Sequence, residues 1–222
     1  MAKTNKEVVL EFYSEVMNAK NRDRVRDLFS ESYVGHSATY VGAGIKIDNS
    51  SGERIMVLGT MPGSSASGKV MTGDQIVSAS DGKDTWDTFK KMDESNWGMG
   101  TAGSSFSLRV LRGGETLEFQ LTRGFIEGMT WALAEQTEGL RYWQTKVCPD
   151  HKVTVVHILA DGDLVGVFTS NKGTFMNFNR QAVWESFDLW RLKDGKIVES
   201  WGVEDTFNQQ KQLGYKIEPP PA

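Results

Sequence analysis

The chain has 222 residues, in which 25 lysines and arginines face 29 aspartates and glutamates for a formal net charge of −4. That mild acidity, with no basic run anywhere, argues against nucleic acid and against an anionic membrane surface as partners. The single cysteine, Cys148, rules out an internal disulfide and reads as a small packed residue, while His36, His151 and His157 are too scattered for a metal-ligand cluster, so no metal is expected.

The length suits one large domain or two small ones, with a core that needs no staples. Thr4 and Glu7 form a capping box, and Val9, Phe12, Tyr13, Val16 and Met17 follow at helical spacing, which predicts a first helix with one apolar stripe. No long apolar run precedes it, and a cytoplasmic protein is the expectation. Val25, Leu28 and Phe29 predict a shorter second helix after Asn21 and Asp23, which leaves through Ser30-Glu31-Ser32 into Tyr33-Val34-Gly35-His36.

From about Val41 to Arg123 the composition shifts toward glycine, serine and turn pairs. Gly42-Ala43-Gly44 is a glycine turn running into the strand Ile45-Lys46-Ile47, and Ile55 to Leu58 is a second strand. Pro62 to Ala66 is a loop, Gly73-Asp74-Gln75-Ile76-Val77 follows, and Asp84 to Met92 has helical spacing in Trp86, Phe89 and Lys90. Ser105 to Leu111 and Thr116 to Thr122 predict a hairpin across Arg112-Gly113-Gly114-Glu115. These motifs, in this order, resemble a PDZ domain of the bacterial protease-associated type. The resemblance implies that the amides of Ala43, Gly44 and Ile45 receive the terminal carboxylate of a partner's peptide. It also implies that the peptide lies between Lys46 to Asn49 and a helix from Thr85 to Met92. Trp86, Phe89 and Met92 would then be pocket walls, or else simply pack the small domain's own core.

Gly124 to Gln136 reads as a linker with some helix, after which Thr137 caps a helix carrying Leu140, Trp143 and Val147, ended by Pro149-Asp150. Lys152 to Leu159 and Leu164 to Ser170 are strands joined by the Asp161-Gly162 turn. Val183 to Leu192 and Ile197 to Val203 form a hairpin across Asp194-Gly195, and a short helix stops at Gly214. The tail Pro219-Pro220-Pro221 is expected to be loose.

In an extended strand Glu199, Trp201, Val203 and Asp205 share one face, which sets an acid beside an indole and a valine. Desolvation there would raise the pKa of Asp205 into the range of a proton-transfer group. Alternatively Asp205 caps the last helix, where its pKa would fall; Thr206 and Gln209 offer a capping box of their own, so that Asp205 need not be the cap.

The run from Asp188 to Asp205, followed by Gln212-Leu213-Gly214, resembles the carboxy-terminal signature of SnoaL-like polyketide cyclases in the nuclear-transport-factor-2-like superfamily. Pro149-Asp150, Val153 to Val155, Ala160 to Val165 and Gly173-Thr174 match the same family in order. The resemblance implies an α+β fold, a cone-shaped curved antiparallel sheet wrapped on helices. It also implies an apolar pocket in which an enolisable carbonyl substrate closes on itself by acid–base catalysis, without a cofactor. By that resemblance Asp205 moves the proton, and His36, in a Tyr-x-x-His segment bordering the pocket, is its partner. His36 could instead be satisfied by backbone near the surface. Trp201, Glu185 and Trp190 line the pocket, and Asp188 is the alternative acid. With His157, Glu185 and Asp188 are also the side chains to weigh as a second polar group. Many members carry a histidine where this chain has Ser200.

The cone would comprise residues 1–40 and 125–218, with 41–124 as an inserted PDZ-like domain. The other reading of the whole is a non-catalytic cone that binds an apolar ligand or dimerises, beside a peptide-binding module. A homodimer is expected in either case.

Overall fold

The computed structural model describes residues 3–49, 51–93, 95, 97–128 and 130–215, and the proline tail expected to be loose lies outside them. In chain order the elements are α1 (Asn5–Glu11), continued by a π-helical segment over Phe12–Asn18; α2 (Val25–Leu28); β1 (Phe29–His36); β2 (Tyr40–Gly42); β3 (Ile45–Asp48); β4 (Ile55–Thr60); and β5 (Gln75–Ser80). Then come β6 (Thr85–Trp86), α3 (Phe89–Asp93), β7 (Ser105–Arg112), β8 (Glu115–Thr122), β9 (Gly124–Ile126) and β10 (Thr130–Ala132). The rest is α4 (Leu133–Tyr142), continued to Val147, β11 (Lys152–Asp161), β12 (Leu164–Phe175), β13 (Arg180–Lys193), β14 (Lys196–Glu204) and α5 (Thr206–Leu213). The chain divides into two compact units, Met1–Ala38 with Thr130–Ala222, and Thr39–Met129. No described helix is long and apolar enough to cross a membrane.

The larger unit is built on one six-stranded sheet in the order β10-β1-β14-β13-β12-β11, antiparallel throughout except where β1 runs parallel to β14. β13 and β14 meet at Asp194-Gly195, both at positive φ (51° and 75°), as a two-residue hairpin requires. Alternate residues of β12 and β13 face inward: Val165, Val167, Ala182, Trp184, Trp190 and Leu192 are all buried.

Across that face lies the first helix. Thr4 accepts from the Glu7 amide at 3.3 Å while Glu7 accepts from the Thr4 amide at 2.7 Å, the reciprocal cap read from the sequence. Seven α-helical residues are too few to persist alone. What holds them is burial of Val8, Val9, Phe12, Tyr13 and Val16, each worth about 1.5–3 kcal/mol for a large apolar side chain. Phe12 meets Trp190 at 5.0 Å between ring centroids, and Phe29 meets Tyr33 edge-on at 4.9 Å.

Three local expectations change. Thr137 lies inside α4, its hydroxyl bonded to the Leu133 carbonyl at 2.8 Å; the helix starts at Leu133, where Glu135 accepts from the Ala132 amide at 2.8 Å. The expected linker 124–136 contains β9 and β10. Finally, Thr85 and Trp86 pair with β5 as a strand, so α3 begins only at Phe89.

The smaller unit has its own sheet, β3-β4-β5-β7-β8, with β6 added to β5, and a core of Ile55, Val57, Ile76, Phe106, Leu108, Val110 and Leu121. Asp74, 1% exposed, takes both arms of Arg112 at 2.7 Å, and that guanidinium lowers its pKa. Among the described residues β3 pairs with β4 alone, which makes it an edge strand. Both passages between units run as antiparallel pairs: His36 stands opposite Thr130 at the rim of the larger unit, and Tyr40 opposite Ile126 in the smaller.

Because His36 and Thr130 are cross-strand neighbours, residues 39–129 should be replaceable by a short glycine-serine turn. The shortened protein should unfold in one cooperative transition by circular dichroism, with the β1–β10 pairing kept. A product with no transition would show that the larger unit cannot fold without the smaller.

Candidate active site

Asp188 stands on the inner face of β13, one inward step from Trp190. Its Oδ2 accepts from the Tyr13 hydroxyl at 2.7 Å, and the Tyr13 oxygen in turn accepts from the Trp190 indole N–H at 3.2 Å. Asp188 Oδ1 lies 2.8 Å from where a Cβ on Gly202 would sit, so the glycine makes room for the carboxylate. Burial pushes the Asp188 pKa up to about 6, against a smaller lowering by the Tyr13 hydrogen bond.

Glu204 lies close enough to feel the Asp188 charge. It stands opposite Ser186 and therefore diagonal to Asp188, which is opposite Gly202. The residue is exposed, yet the walls around its carboxyl raise its pKa by desolvation, and the Asp188 charge raises it further. Glu204 lines a cavity of about 400 Å³ together with Met17, Trp131, Leu140, Trp143 and His151. Nearby, Tyr33 and Ser200 share a buried hydroxyl–hydroxyl bond of 2.6 Å.

A chain of buried polar groups backs the cavity. The Trp143 indole can only donate, and it meets His151 Nδ1 at 2.9 Å, so the His151 proton is assigned to Nε2, 3.0 Å from Asn171 Oδ1. The Asn171 amide then donates to Thr169 Oγ1 at 3.0 Å and Ser186 Oγ at 3.2 Å, and those hydroxyls are 2.7 Å apart. One hydroxyl proton remains after these bonds, at Thr169 or Ser186. His151 stacks on Trp184 at 5.1 Å, and burial drops its pKa to about 4, so it is neutral near pH 7.

The expected site residues fall into two groups. Asp188 and Trp190 are on the inner face, whereas Glu185, Trp201, His36 and Asp205 are not part of it. Glu185 is on the opposite parity of β13 from Asp188 and Trp190, and for the β14 residues the cause is a β-bulge. Leu192 pairs with Ile197 but Arg191 with Glu199, so Val198 is an extra residue in β14 and parity flips beyond it. Ser200, Gly202 and Glu204 thereby point inward, and Glu199, Trp201 and Val203 point outward.

Asp205 is the helix cap after all: its Oδ1 accepts from the Asn208 amide at 3.1 Å and it is exposed, while Thr206 is the first helical residue. His36 lies on the outer face, stacked on Trp201 at 5.0 Å and bonded through Nε2 to Glu199 at 2.9 Å. Arg191 pairs with the same Glu199 and lies over Trp201. Glu185 is exposed, its backbone carbonyl bonded to the Asp205 amide at 2.9 Å, and His157 is exposed against Phe168. Cys148 is fully buried, with its thiol pushed up to about 12.

In the smaller unit the Ala43 amide, expected to receive a carboxylate, donates instead to the Gly98 carbonyl at 2.9 Å. Gly44 has φ 68°, and a Cβ on it would lie 2.4 Å from the Ser64 Cβ. Ile45 begins β3 opposite Thr60, and Trp86 and Phe89 are half-buried against the unit's own core. Among the described residues no group of three His, Cys, Asp or Glu side chains could hold a metal ion.

Asp188 and His151 pull stability in opposite directions with pH. The raised Asp188 disfavours the fold above pH 6 and is relieved as pH falls toward 3.8, while the depressed His151 costs stability as pH falls from 6.5 to 4. Each is worth at most about 3 kcal/mol. The variant Asp188→Asn should therefore melt higher than the wild type at pH 7.5 and lose melting temperature more steeply between pH 6.5 and 4. Parallel curves for the two proteins would show that Asp188 carries no such shift.

No curated protein matches the chain at a significant level. Among solved structures it is similar to IdmH of Streptomyces antibioticus, a candidate polyketide cyclase, at 17% identity and a TM-score of 0.52, over 96% of this chain and 100% of that one. A loop-truncated IdmH variant matches at 16% identity and a TM-score of 0.51, over 95% of this chain and 100% of that chain. At such identities the likeness concerns the fold alone, an α+β arrangement of helices and an extended, mostly antiparallel sheet. The family model of the SnoaL-like polyketide cyclases matches residues 138–213, so the stretch holding the second half of α4, the β11–β14 meander and α5 carries that family's pattern.

Proposed function

We propose that the larger unit is a cofactor-free acid–base catalyst for a small carbonyl compound, with Asp188 taking the proton. The observation that carries this reading is a carboxylate raised to about 6 beside a second raised carboxyl, Glu204. A base titrating there is ionised at neutral pH yet basic enough to accept a carbon-bound proton. A cavity of about 400 Å³ with aromatic walls suits an apolar substrate.

In the proposed sequence, Asp188 Oδ1 removes the proton next to the substrate carbonyl while Tyr13 holds Oδ2. The spare hydroxyl proton at Thr169 or Ser186 steadies the enolate oxygen. The enolate carbon then attacks a second carbonyl of the same molecule, and Glu204 protonates the new alkoxide. The proton on Asp188 passes to Glu204 and restores both groups. The cyclase pattern over residues 138–213 supports this intramolecular aldol reading over simple ligand storage.

Enolisation can be followed without knowing the natural substrate, as deuterium uptake from heavy water by a panel of cyclic and aromatic ketones in NMR spectra. Mass spectrometry of whatever small molecule copurifies with the protein directs the choice of panel. Exchange should rise to a plateau above about pH 6, and Asp188→Asn should slow it by roughly a hundredfold or more. Asp205→Asn should leave exchange within about twofold and only loosen a helix cap, by about 1 kcal/mol or less. Full exchange in the Asp188 variant would rule the proposal out.

For the smaller unit we infer a peptide-docking role, supported by the open edge of β3 and the glycine turn before it. With the Ala43 amide engaged, the turn at Gly44 and Ile45 is what remains for a terminal carboxylate. A peptide ending in a free acid and an apolar residue should bind with a Kd of micromolar order, and its amidated form far more weakly. Replacing Gly44 with valine should abolish the difference. Equal titration curves for both peptides would remove the carboxylate role. The outward Val183, Phe187 and Val203, all more than 40% exposed, support self-association of the larger unit through its outer sheet face.

A further inference from the structure

Arg123, between β8 and β9, is 4% exposed, yet no carboxylate among the described residues pairs with it. Its Nη1 donates to Ser104 Oγ at 3.1 Å and its Nη2 to the Trp97 carbonyl at 2.7 Å, while the guanidinium lies 4.6 Å over the Phe106 ring. Its Nε has no partner. All these contacts are neutral. Asp81 acts on Arg123 only through space, and its own Oδ1 already accepts from the Lys83 and Asp84 amides at 3.0 and 2.9 Å. A guanidinium keeps its charge in such a place, so the cation is desolvated without a counter-ion.

Beside it lies a cavity of about 510 Å³, lined by Arg123 with Asp81, Lys83, Trp86, Met99, Thr101 and Ser105. Two cations against one carboxylate leave one positive charge, which suits a monoanion better than a phosphate dianion. Thr101 and Ser105 add hydroxyls, and Trp86 and Met99 offer apolar surface to whatever carries the charge. We propose that this cavity binds a carboxylate on an apolar body, with the carboxylate paired to Arg123. The source of that chemistry is either a free organic acid or the end of a chain.

Calorimetry on the full chain tests it with hexanoate, its uncharged counterpart hexanamide, inorganic phosphate, and an acetylated tripeptide ending in leucine. Hexanoate should bind at least about tenfold tighter than hexanamide, since only the acid forms charge-assisted bonds. Phosphate should bind more weakly than hexanoate, and whichever of hexanoate and the tripeptide binds tighter identifies the source. Thr101→Trp fills the cavity while Arg123 is retained and should abolish binding, and Lys83→Glu should weaken it by about tenfold or more. Because Arg123→Gln endangers the core, these two variants carry the test. Thr101 and Lys83 line this cavity and neither lies in β3 or its glycine turn, so the two variants separate this site from peptide docking there. Equal affinity for acid and amide, or undiminished binding in the Thr101 variant, would overturn the proposal.

Discussion

Where Arg191 of β13 meets β14, the strand carries one residue more than its partner, and every side chain beyond Val198 changes face. The inner wall of the larger unit depends on that bulge. With it, Ser200 reaches Tyr33, Gly202 leaves space for Asp188, and Glu204 turns toward the cavity that it lines with Trp131, Trp143 and His151. Without it, Glu199 and Trp201 would be driven among the aromatic rings around Trp190, and the ion pair of Glu199 with Arg191 would be lost to the interior.

The polar groups on this wall are arranged around two environments. On one side the Tyr13 hydroxyl joins the Trp190 indole to Asp188, which ties the first helix to the sheet through a bond as well as through packing. On the other, the line from Trp143 through His151 and Asn171 to Thr169 and Ser186 saturates both imidazole nitrogens. A histidine so engaged has no free nitrogen with which to act as a base. The Asp188 and Glu204 carboxyls carry raised pKa values, and among the described residues no cation pairs with either.

Much of the architecture was legible because it follows local rules. The Thr4–Glu7 cap, the Asp194-Gly195 and Gly113-Gly114 turns and the alternation of β12 and β13 are written in short windows of sequence. The composition shifts near Val41, and the two compact units divide at Ala38 and Thr39. The inward set of β14 was not legible. Counting by twos from Ile197 selects Trp201 and Asp205, and only the bulge, which arises from pairing with β13 and carries no marker such as glycine at Val198, selects Ser200 and Glu204 instead. Tyr13 illustrates a different limit: its apolar ring fits the helix stripe, and nothing local says that its hydroxyl meets an acid 175 residues away.

The pairing of His36 with Thr130 has a thermodynamic consequence for the segment between them. When the smaller unit unfolds by itself, its ends stay pinned side by side by the sheet of the larger one, as a disulfide would pin them. A closed loop of about 90 residues has far fewer arrangements than a free chain, and the chain-entropy model puts that restriction at about 4–5 kcal/mol. The larger unit therefore acts as a covalent-strength cross-link on the denatured state of the smaller. The same domain cut out and studied with free ends would be less stable, even with each of its own contacts intact.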